Sequence, residues 1–148
     1  MDIKVLKINE NATIPTPSED HIGFDLYACL EKGINLITRR SRDIQTGIQL
    51  RVPDGYYGMI FIDETLAKKG VRIEAGVTIY SNDKCGQELR LSLFNNDNQD
   101  HTIKHGEKIA KLILVPYVDA GINAQERIKE KVSTEPVQDN QFTKWKNI

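Results

Sequence analysis

The feature that most constrains the fold is a series of short apolar or alternating runs, separated by turn-forming residues about every ten positions. Glycine or asparagine marks the intervening turns at 32–33, 54–55, 95–98 and 105–106. Many short strands at such a spacing predict an all-β sandwich or barrel. The predicted strands cover residues 3–8, 23–30, 43–52, 57–62, 88–94 and 109–116.

Helical signals are few. Residues 64–69 predict a short helix that Gly70 ends, and residues 123–131 form either a second helix or a charged connector. We therefore expect one β domain over residues 1–132, followed by an arm or tail over 133–148. Phe142 and Trp145 favour an arm that docks on a neighbour over a disordered tail.

The overall charge excludes several classes of partner. Charged residues make up 28% of the chain and the formal net charge is -1, which predicts neither nucleic-acid binding nor a basic membrane-surface patch. Cys29 and Cys85 do not make a disulfide framework. With no apolar leader and no apolar run near the ~20 residues of a membrane span, we expect an intracellular protein, in the cytoplasm or the nucleus.

Four segments carry a recognisable order of motifs. They are Ile22-Gly23-Phe24-Asp25-Leu26-Tyr27-Ala28, then 53–58 with Leu66-Ala67, then 71–77 with Gly86, and finally 93–95 with 106–113. In this order they resemble the sequence blocks of the trimeric dUTP diphosphatases, or dUTPases, over most of residues 3–117. The resemblance implies a β-jelly-roll or β-clip subunit in a homotrimer, with active sites at subunit interfaces and a C-terminal arm that closes them.

The first block contains Asp25. The resemblance implies that this carboxylate helps to place Mg²⁺ around a triphosphate. The residues alone equally allow an aspartate that caps a tight turn after Gly23.

The second block departs from the family, because Asp63-Glu64 stands where the resemblance implies Arg-Ser. Both side chains are acceptors only at neutral pH. A like-charge pair ~4 Å apart costs roughly 1 kcal/mol in water and about 4 kcal/mol at an effective dielectric constant of 20. The pair should repel a triphosphate unless a metal intervenes, and we favour the alternative that it begins the short helix.

The third block departs further. Ile79 lies where the resemblance implies the general base, and the run from Gly76 to Gly86 is longer than in the family. Tyr80 or Asp83 could replace the missing groups only in a rebuilt hairpin. Loss of a general base typically lowers a rate by about 10²–10⁴-fold.

The remaining blocks are mixed. Asn95 is retained as a structural residue, and Lys111 stands where the resemblance implies a glutamine near the phosphates. Lys111 either binds an anion or is an outward residue of a strand. The family's glycine-rich arm is missing, because no glycine follows Gly121, and Phe142 alone matches its stacking phenylalanine.

These departures predict a catalytically degenerate dUTPase-like protein, of a kind expected in viruses. It would bind a protein partner or a small nucleotide-like ligand at the homotrimer, with no catalytic residue and no required cofactor. Mg²⁺ would be needed only if hydrolysis is retained, with Asp25 as its ligand. The predicted ligand-binding residues are Asp25, Asp63, Glu64, Gly76, Ile79, Tyr80, Asn95, Lys111 and Phe142.

Two alternatives remain open at this point. The chain is an active or weak dUTP diphosphatase, which converts dUTP to dUMP and pyrophosphate, or it is a structural component of a virion or another assembly. The enzymatic alternative needs a new base, for which the carboxylates are Asp25, Glu64, Asp83 and Glu88.

Overall fold

The computed structural model describes residues 1–128. It divides into residues 1–118, which hold every described strand and helix, and a segment that starts at residue 119. Within residues 1–128 there are twelve β-strands and one short α-helix, so the prediction of an all-β fold is confirmed. None of the described helices is long and apolar enough to cross a membrane.

The largest sheet has five antiparallel strands in the order β2-β3-β12-β7-β9. Its strands are β2 (Thr16–Pro17), β3 (Phe24–Tyr27), β7 (Tyr56–Ile62), β9 (Thr78–Tyr80) and β12 (Lys108–Pro116). The long strands β7 and β12 lie side by side at its centre and pair from Ala110 opposite Ile62 to Pro116 opposite Tyr56. Pro17 lies in the edge strand β2, where its missing N–H breaks no ladder.

The other strands form three smaller antiparallel units. A three-stranded sheet has the order β5-β10-β8, and the pairs β1-β6 and β4-β11 complete the set. Their bounds are β1 (Lys4–Lys7), β4 (Ile34–Leu36), β5 (Ser41–Gln45), β6 (Ile48–Arg51), β8 (Val71–Ile73), β10 (Arg90–Asn95) and β11 (His101–Ile103).

The core follows from strand alternation, since side chains of period two point to opposite faces of a sheet. In β10, Leu91 and Leu93 are fully buried, whereas Ser92 between them is only partly buried. The same core takes Leu26 from β3, Ile60 from β7 and Leu112 from β12. One apolar cluster therefore joins strands of the separate sheets.

The predicted single strand over 43–52 is wrong, because the structure divides it into β5 and β6 at Thr46-Gly47. Gly47 has a φ of 69°, a left-handed value that favours glycine. A Cβ at this position would lie 2.9 Å from Ala12 Cβ and 2.9 Å from Cys29 Sγ. The chain turns here so that β5 joins β10 while β6 joins β1.

The predicted first helix is confirmed as α1 (Glu64–Lys68), which Gly70 follows. Residues 123–128 contain no helix, and this favours the connector over the helix for that part of the chain. Residues 133–148, including Phe142 and Trp145, lie outside the described residues, so the C-terminal arm stays a prediction.

Candidate functional site

An open polar cleft of about 290 Å³ lies where β3, β7, α1 and β12 meet. Two ammonium groups and five carboxylates line it, so negative charges exceed positive charges by three when all are ionised. The carboxylates are Glu19, Asp20, Asp25, Asp63 and Glu64, and the ammonium groups are Lys108 and Lys111.

An irregularity in β12 brings both lysines into the cleft. Lys108 pairs with Tyr27 and Ala110 with Leu26, so the register shifts at the intervening residue 109. In a regular strand, residues 108 and 111 would point to opposite faces. A bulge re-aims one side chain, and both Lys108 and Lys111 consequently line the same cleft.

Asp63 is the N-cap of α1. Its Oδ2 accepts hydrogen bonds from the backbone N–H groups of Thr65 (3.0 Å) and Leu66 (3.3 Å). Its Oδ1 lies 3.6 Å from Lys108 Nζ. An aspartate at this position satisfies helix N–H groups that otherwise have no partner, so Asp63 has the helix-starting role that we favoured.

Asp25 is held from two sides. Ser18 Oγ donates a hydrogen bond of 2.8 Å to its Oδ1, and Lys108 Nζ lies 3.9 Å from its Oδ2. The Asp25 carboxylate, followed by that of Asp63, raises the pKa of the Lys108 ammonium. Lys108 is therefore a cation at neutral pH, placed between two carboxylates.

Lys111 already has a partner. Its Nζ donates a 2.6 Å hydrogen bond to Asp20 Oδ2, and this bond, helped by the N–H of Ile22, lowers the pKa of Asp20 below the ordinary aspartate value. Lys111 therefore lines the cleft and is not simply an outward residue of the strand. An incoming anion would have to compete with Asp20 for it.

The cleft is a partial match to a magnesium site. Among residues 1–128, no group of three or more histidine, cysteine, aspartate or glutamate side chains is arranged to hold a metal ion. Mg²⁺ is commonly held by one or two carboxylates together with substrate phosphates and water. Asp25 and Asp63 offer two such carboxylates, but the oxygen that each turns into the cleft already faces the Lys108 ammonium, so Mg²⁺ would bind between them only after Lys108 has turned away.

The predicted ligand-binding residues of the third block lie elsewhere. Tyr80 is buried in β9 and its hydroxyl donates a hydrogen bond to the Leu50 carbonyl, while burial raises its pKa. Ile79 is 47% exposed and offers no proton acceptor. Gly76 has a φ of 86° in the preceding turn. None of the three lines the cleft of Asp25 within this chain.

Asn95 has the structural role predicted for it, but it does not line the cleft and so does not support its place among the predicted ligand-binding residues. Its fully buried amide donates 2.8 Å hydrogen bonds to the carbonyls of Leu36 and Gln99. Its Oδ1 accepts from the N–H of Asp97. These bonds fix the turn after β10 and leave no group free for a ligand.

The structure therefore brings Asp25, Asp63, Glu64 and Lys111 together and separates Gly76, Ile79, Tyr80 and Asn95 from them. Phe142 lies outside the described residues. Lys108 and Ser18 were not among the predicted site residues. The Gly106-Glu107-Lys108 segment was the one available signal, and strict alternation along the strand would have placed Lys108 on the wrong face.

Glu107 has an unusual environment beside the cleft. Its Oε2 is buried and has no hydrogen-bond partner among residues 1–128. Burial raises the pKa of this carboxyl, and the Asp63 charge raises it further, although Lys69 acts in the opposite direction. An unpaired buried carboxylate of this kind reduces stability when it is ionised.

Glu107→Gln is expected to make the free energy of unfolding less dependent on pH. Because its pKa is raised, Glu107 keeps its proton to a higher pH in the folded state than in the unfolded state. The contribution of the protonated carboxyl to stability is therefore full below pH ~4.5 and is lost as the pH rises through the folded pKa. Between the unfolded and the folded pKa of Glu107, the free energy of unfolding of the variant should therefore rise relative to that of the wild type. Urea unfolding at several pH values measures this, with the exposed Glu31→Gln as control; a difference that does not vary with pH would contradict it.

Comparison with known proteins gives a family. The family model described as dUTPase matches residues 10–139. A probable deoxyuridine 5'-triphosphate nucleotidohydrolase of Schizosaccharomyces pombe is 35% identical over 89% of this chain and 92% of its own length. The corresponding Saccharomyces cerevisiae enzyme is 38% identical over 78% and 79%, and that of Paramecium bursaria Chlorella virus 1 is 38% identical over 74% and 76%.

Solved structures agree on the fold. A mutant dUTPase from phage phi11 of S. aureus, described with a structural Mg(II) ion, superposes with a TM-score of 0.77. It is 18% identical, and the match covers 88% of this chain and all of that one. The predicted dUTPase-like β fold is confirmed by this likeness.

The prediction of a non-catalytic protein is corrected by the same relatives. Proteins 31–38% identical over most of the chain carry the name of the dUTP-hydrolysing enzyme, and they favour the enzymatic alternative. The departures at Asp63, Glu64 and Ile79 therefore do not outweigh the similarity over the rest of the chain. A viral origin stays a prediction.

Proposed function

The chain belongs to the dUTPase family, and from this premise we propose that it hydrolyses dUTP to dUMP and pyrophosphate. The similarity to enzymes of that name over most of the chain carries the proposal. The cleft of Asp25, Lys108 and Lys111 is its expected place, because it combines cations with oriented carboxylates.

The polyphosphate of dUTP needs positive charge around it. Lys108 and Lys111 offer ammonium donors, which suit phosphate oxygens. Five carboxylates line the same cleft, so two lysines alone leave it negative. Asp25 and Asp63 would hold Mg²⁺ together with the phosphates, and the bound ion would offset charge on the leaving pyrophosphate.

The attacking water needs a proton acceptor other than Ile79. Asp63 is engaged as the helix cap, Asp25 accepts from Ser18, and Asp20 is bonded to Lys111. Glu19 and Glu64 remain among the carboxylates of the cleft. Glu64 makes an exposed 3.5 Å ion pair with Lys68, which is worth little, and it directly follows Asp63, a proposed Mg²⁺ ligand, whereas Glu19 lies in a separate loop. We assign the proton-accepting role to Glu64, the first residue of α1.

Asp25→Asn is expected to raise the Mg²⁺ concentration for half-maximal dUTP turnover by at least about tenfold, because a neutral amide is a weaker ligand for a hard cation. The amide keeps the size of the side chain, so the fold should persist. Initial rates at varied Mg²⁺ measure the shift. Asp54→Asn, an exposed carboxylate outside the cleft, serves as control, and an unchanged Mg²⁺ requirement in Asp25→Asn would contradict the assignment.

The turnover test is a nucleotide panel. Purified full-length protein with Mg²⁺ should convert dUTP, and not UTP, dCTP or dTTP at a comparable rate, to the monophosphate. Chromatography identifies dUMP as product, and no conversion of dUTP would reject the proposal.

We further propose a homotrimer, for which light scattering should give about 50 kDa, three times the chain mass of 16.8 kDa. An enzyme of the nucleotide pool would act in the cytoplasm or the nucleus.

A further inference from the structure

Lys108 occupies a particular place in the cleft. Its Nζ lies 3.9 Å from Asp25 Oδ2 and 3.6 Å from Asp63 Oδ1. We propose that Lys108 directly contacts the phosphate groups of the ligand and is the cation that lets this acidic cleft bind a polyphosphate. The inference rests on the proposed function and assigns a specific binding residue to it.

The bulge in β12 is the first observation that supports this role. Asp63, which connects β7 to α1, and Glu64, the first residue of α1, are both carboxylates, so positive charge at this point of the cleft has to come from a neighbouring element. The shifted register at residue 109 turns Lys108 to the side of Lys111. A bulge beside a site commonly has this effect.

The distances to the two carboxylates are the second observation. At 3.6 and 3.9 Å both contacts are ion pairs too long to be hydrogen bonds. Within the part of the chain that the structure describes, the three N–H donors of Lys108 therefore remain free to turn towards a ligand oxygen without breaking a bond. Lys111 differs, because its 2.6 Å bond to Asp20 would have to be broken or shared.

The net charge of the cleft is the third observation that supports this role of Lys108. Without Lys108, Asp25 and Asp63 would face each other with no cation between them, beside three further carboxylates. A polyphosphate entering that environment would meet only like charge apart from Lys111. Lys108 therefore both separates the carboxylates and presents donors to the ligand.

Titration calorimetry with magnesium pyrophosphate tests the contact directly and does not depend on turnover. We expect Lys108→Met to weaken binding roughly ten- to a hundredfold, as the loss of a hydrogen bond to a charged group does. Lys108→Arg keeps the charge and should bind within about fivefold of the wild type. Lys32→Met, which removes an exposed lysine outside the cleft, should bind like the wild type.

Two results would overturn the inference. One is equal affinity of Lys108→Met and wild type, which would leave Lys108 a purely structural role. The other is a wild type that does not bind pyrophosphate. If the wild type binds pyrophosphate through Lys108 but does not turn over dUTP, the proposed function fails while this inference stands.

A measurement on the unmodified chain covers the case in which Lys108→Met does not fold. In ¹⁵N-labelled wild-type protein, the side-chain amine resonance of Lys108 should move on addition of magnesium pyrophosphate, and that of Lys32 should not. No movement of the Lys108 resonance at saturation would overturn the proposal.

Discussion

Replacement of Glu64 by glutamine is expected to lower kcat for dUTP by about 10²–10⁴-fold, the usual contribution of a general base. Glutamine has nearly the same shape and keeps the start of α1, but its amide cannot accept the proton of the attacking water at neutral pH. KM should change little, because the phosphates are assigned to Lys108 and Lys111. Steady-state rates over a range of dUTP concentrations separate the two constants.

The matched control is Lys68→Met. It removes the 3.5 Å ion pair of Glu64 and leaves the carboxylate in place. We expect kcat within about threefold of the wild type, since surface ion pairs contribute little. If Glu64→Gln kept wild-type kcat, the proton acceptor would have to be another carboxylate.

Replacement of Gly23 by alanine is expected to lower the free energy of unfolding by about 3 kcal/mol or more. Gly23 has a φ of 72°, and a Cβ there would lie 2.3 Å from the Leu112 carbonyl oxygen. The left-handed conformation alone costs an alanine roughly 1–2 kcal/mol. The obstacle is backbone of the central strand β12, so relief requires β3 and β12 to move apart. Urea unfolding measures the loss.

Gly55→Ala is the control that measures the cost of the left-handed backbone conformation without a steric clash of the new Cβ. Gly55 has a φ of 82°, and a Cβ there would meet nothing within 4 Å. Its loss should therefore be limited to about 1–2 kcal/mol. Equal losses in the two variants would mean that the Gly23 site relaxes easily and that the approach of β3 to β12 is not tight.

The long strands and the helix were readable from sequence for a simple reason. Alternation in β10 and the apolar runs of β7 and β12 are local patterns. The capping Asp63 marks the start of α1 and Gly70 marks its end. Strands of two or three residues, such as β2, β4 and β11, are too short to show a period. Their pairing depends on partners far along the chain.

The site was only partly readable for the same reason. Asp25, Asp63, Glu64 and Lys111 came from motif positions, but the pairing of Lys111 with Asp20 joins residues 91 positions apart. The bulge that turns Lys108 inwards depends on pairing with β3 and leaves no mark in local sequence. The replaced residues Asp63, Glu64 and Ile79, taken alone, predict an inactive protein, because single positions do not show which other side chains enter the cleft.

Pyrophosphate release from dUTP by the purified wild-type protein with Mg²⁺ tests the central claim most directly. We expect steady release with one dUMP formed for each pyrophosphate, and a rate at least about a hundredfold lower in Glu64→Gln prepared in the same way. A correctly folded wild-type protein that released no more pyrophosphate than the buffer would contradict the account.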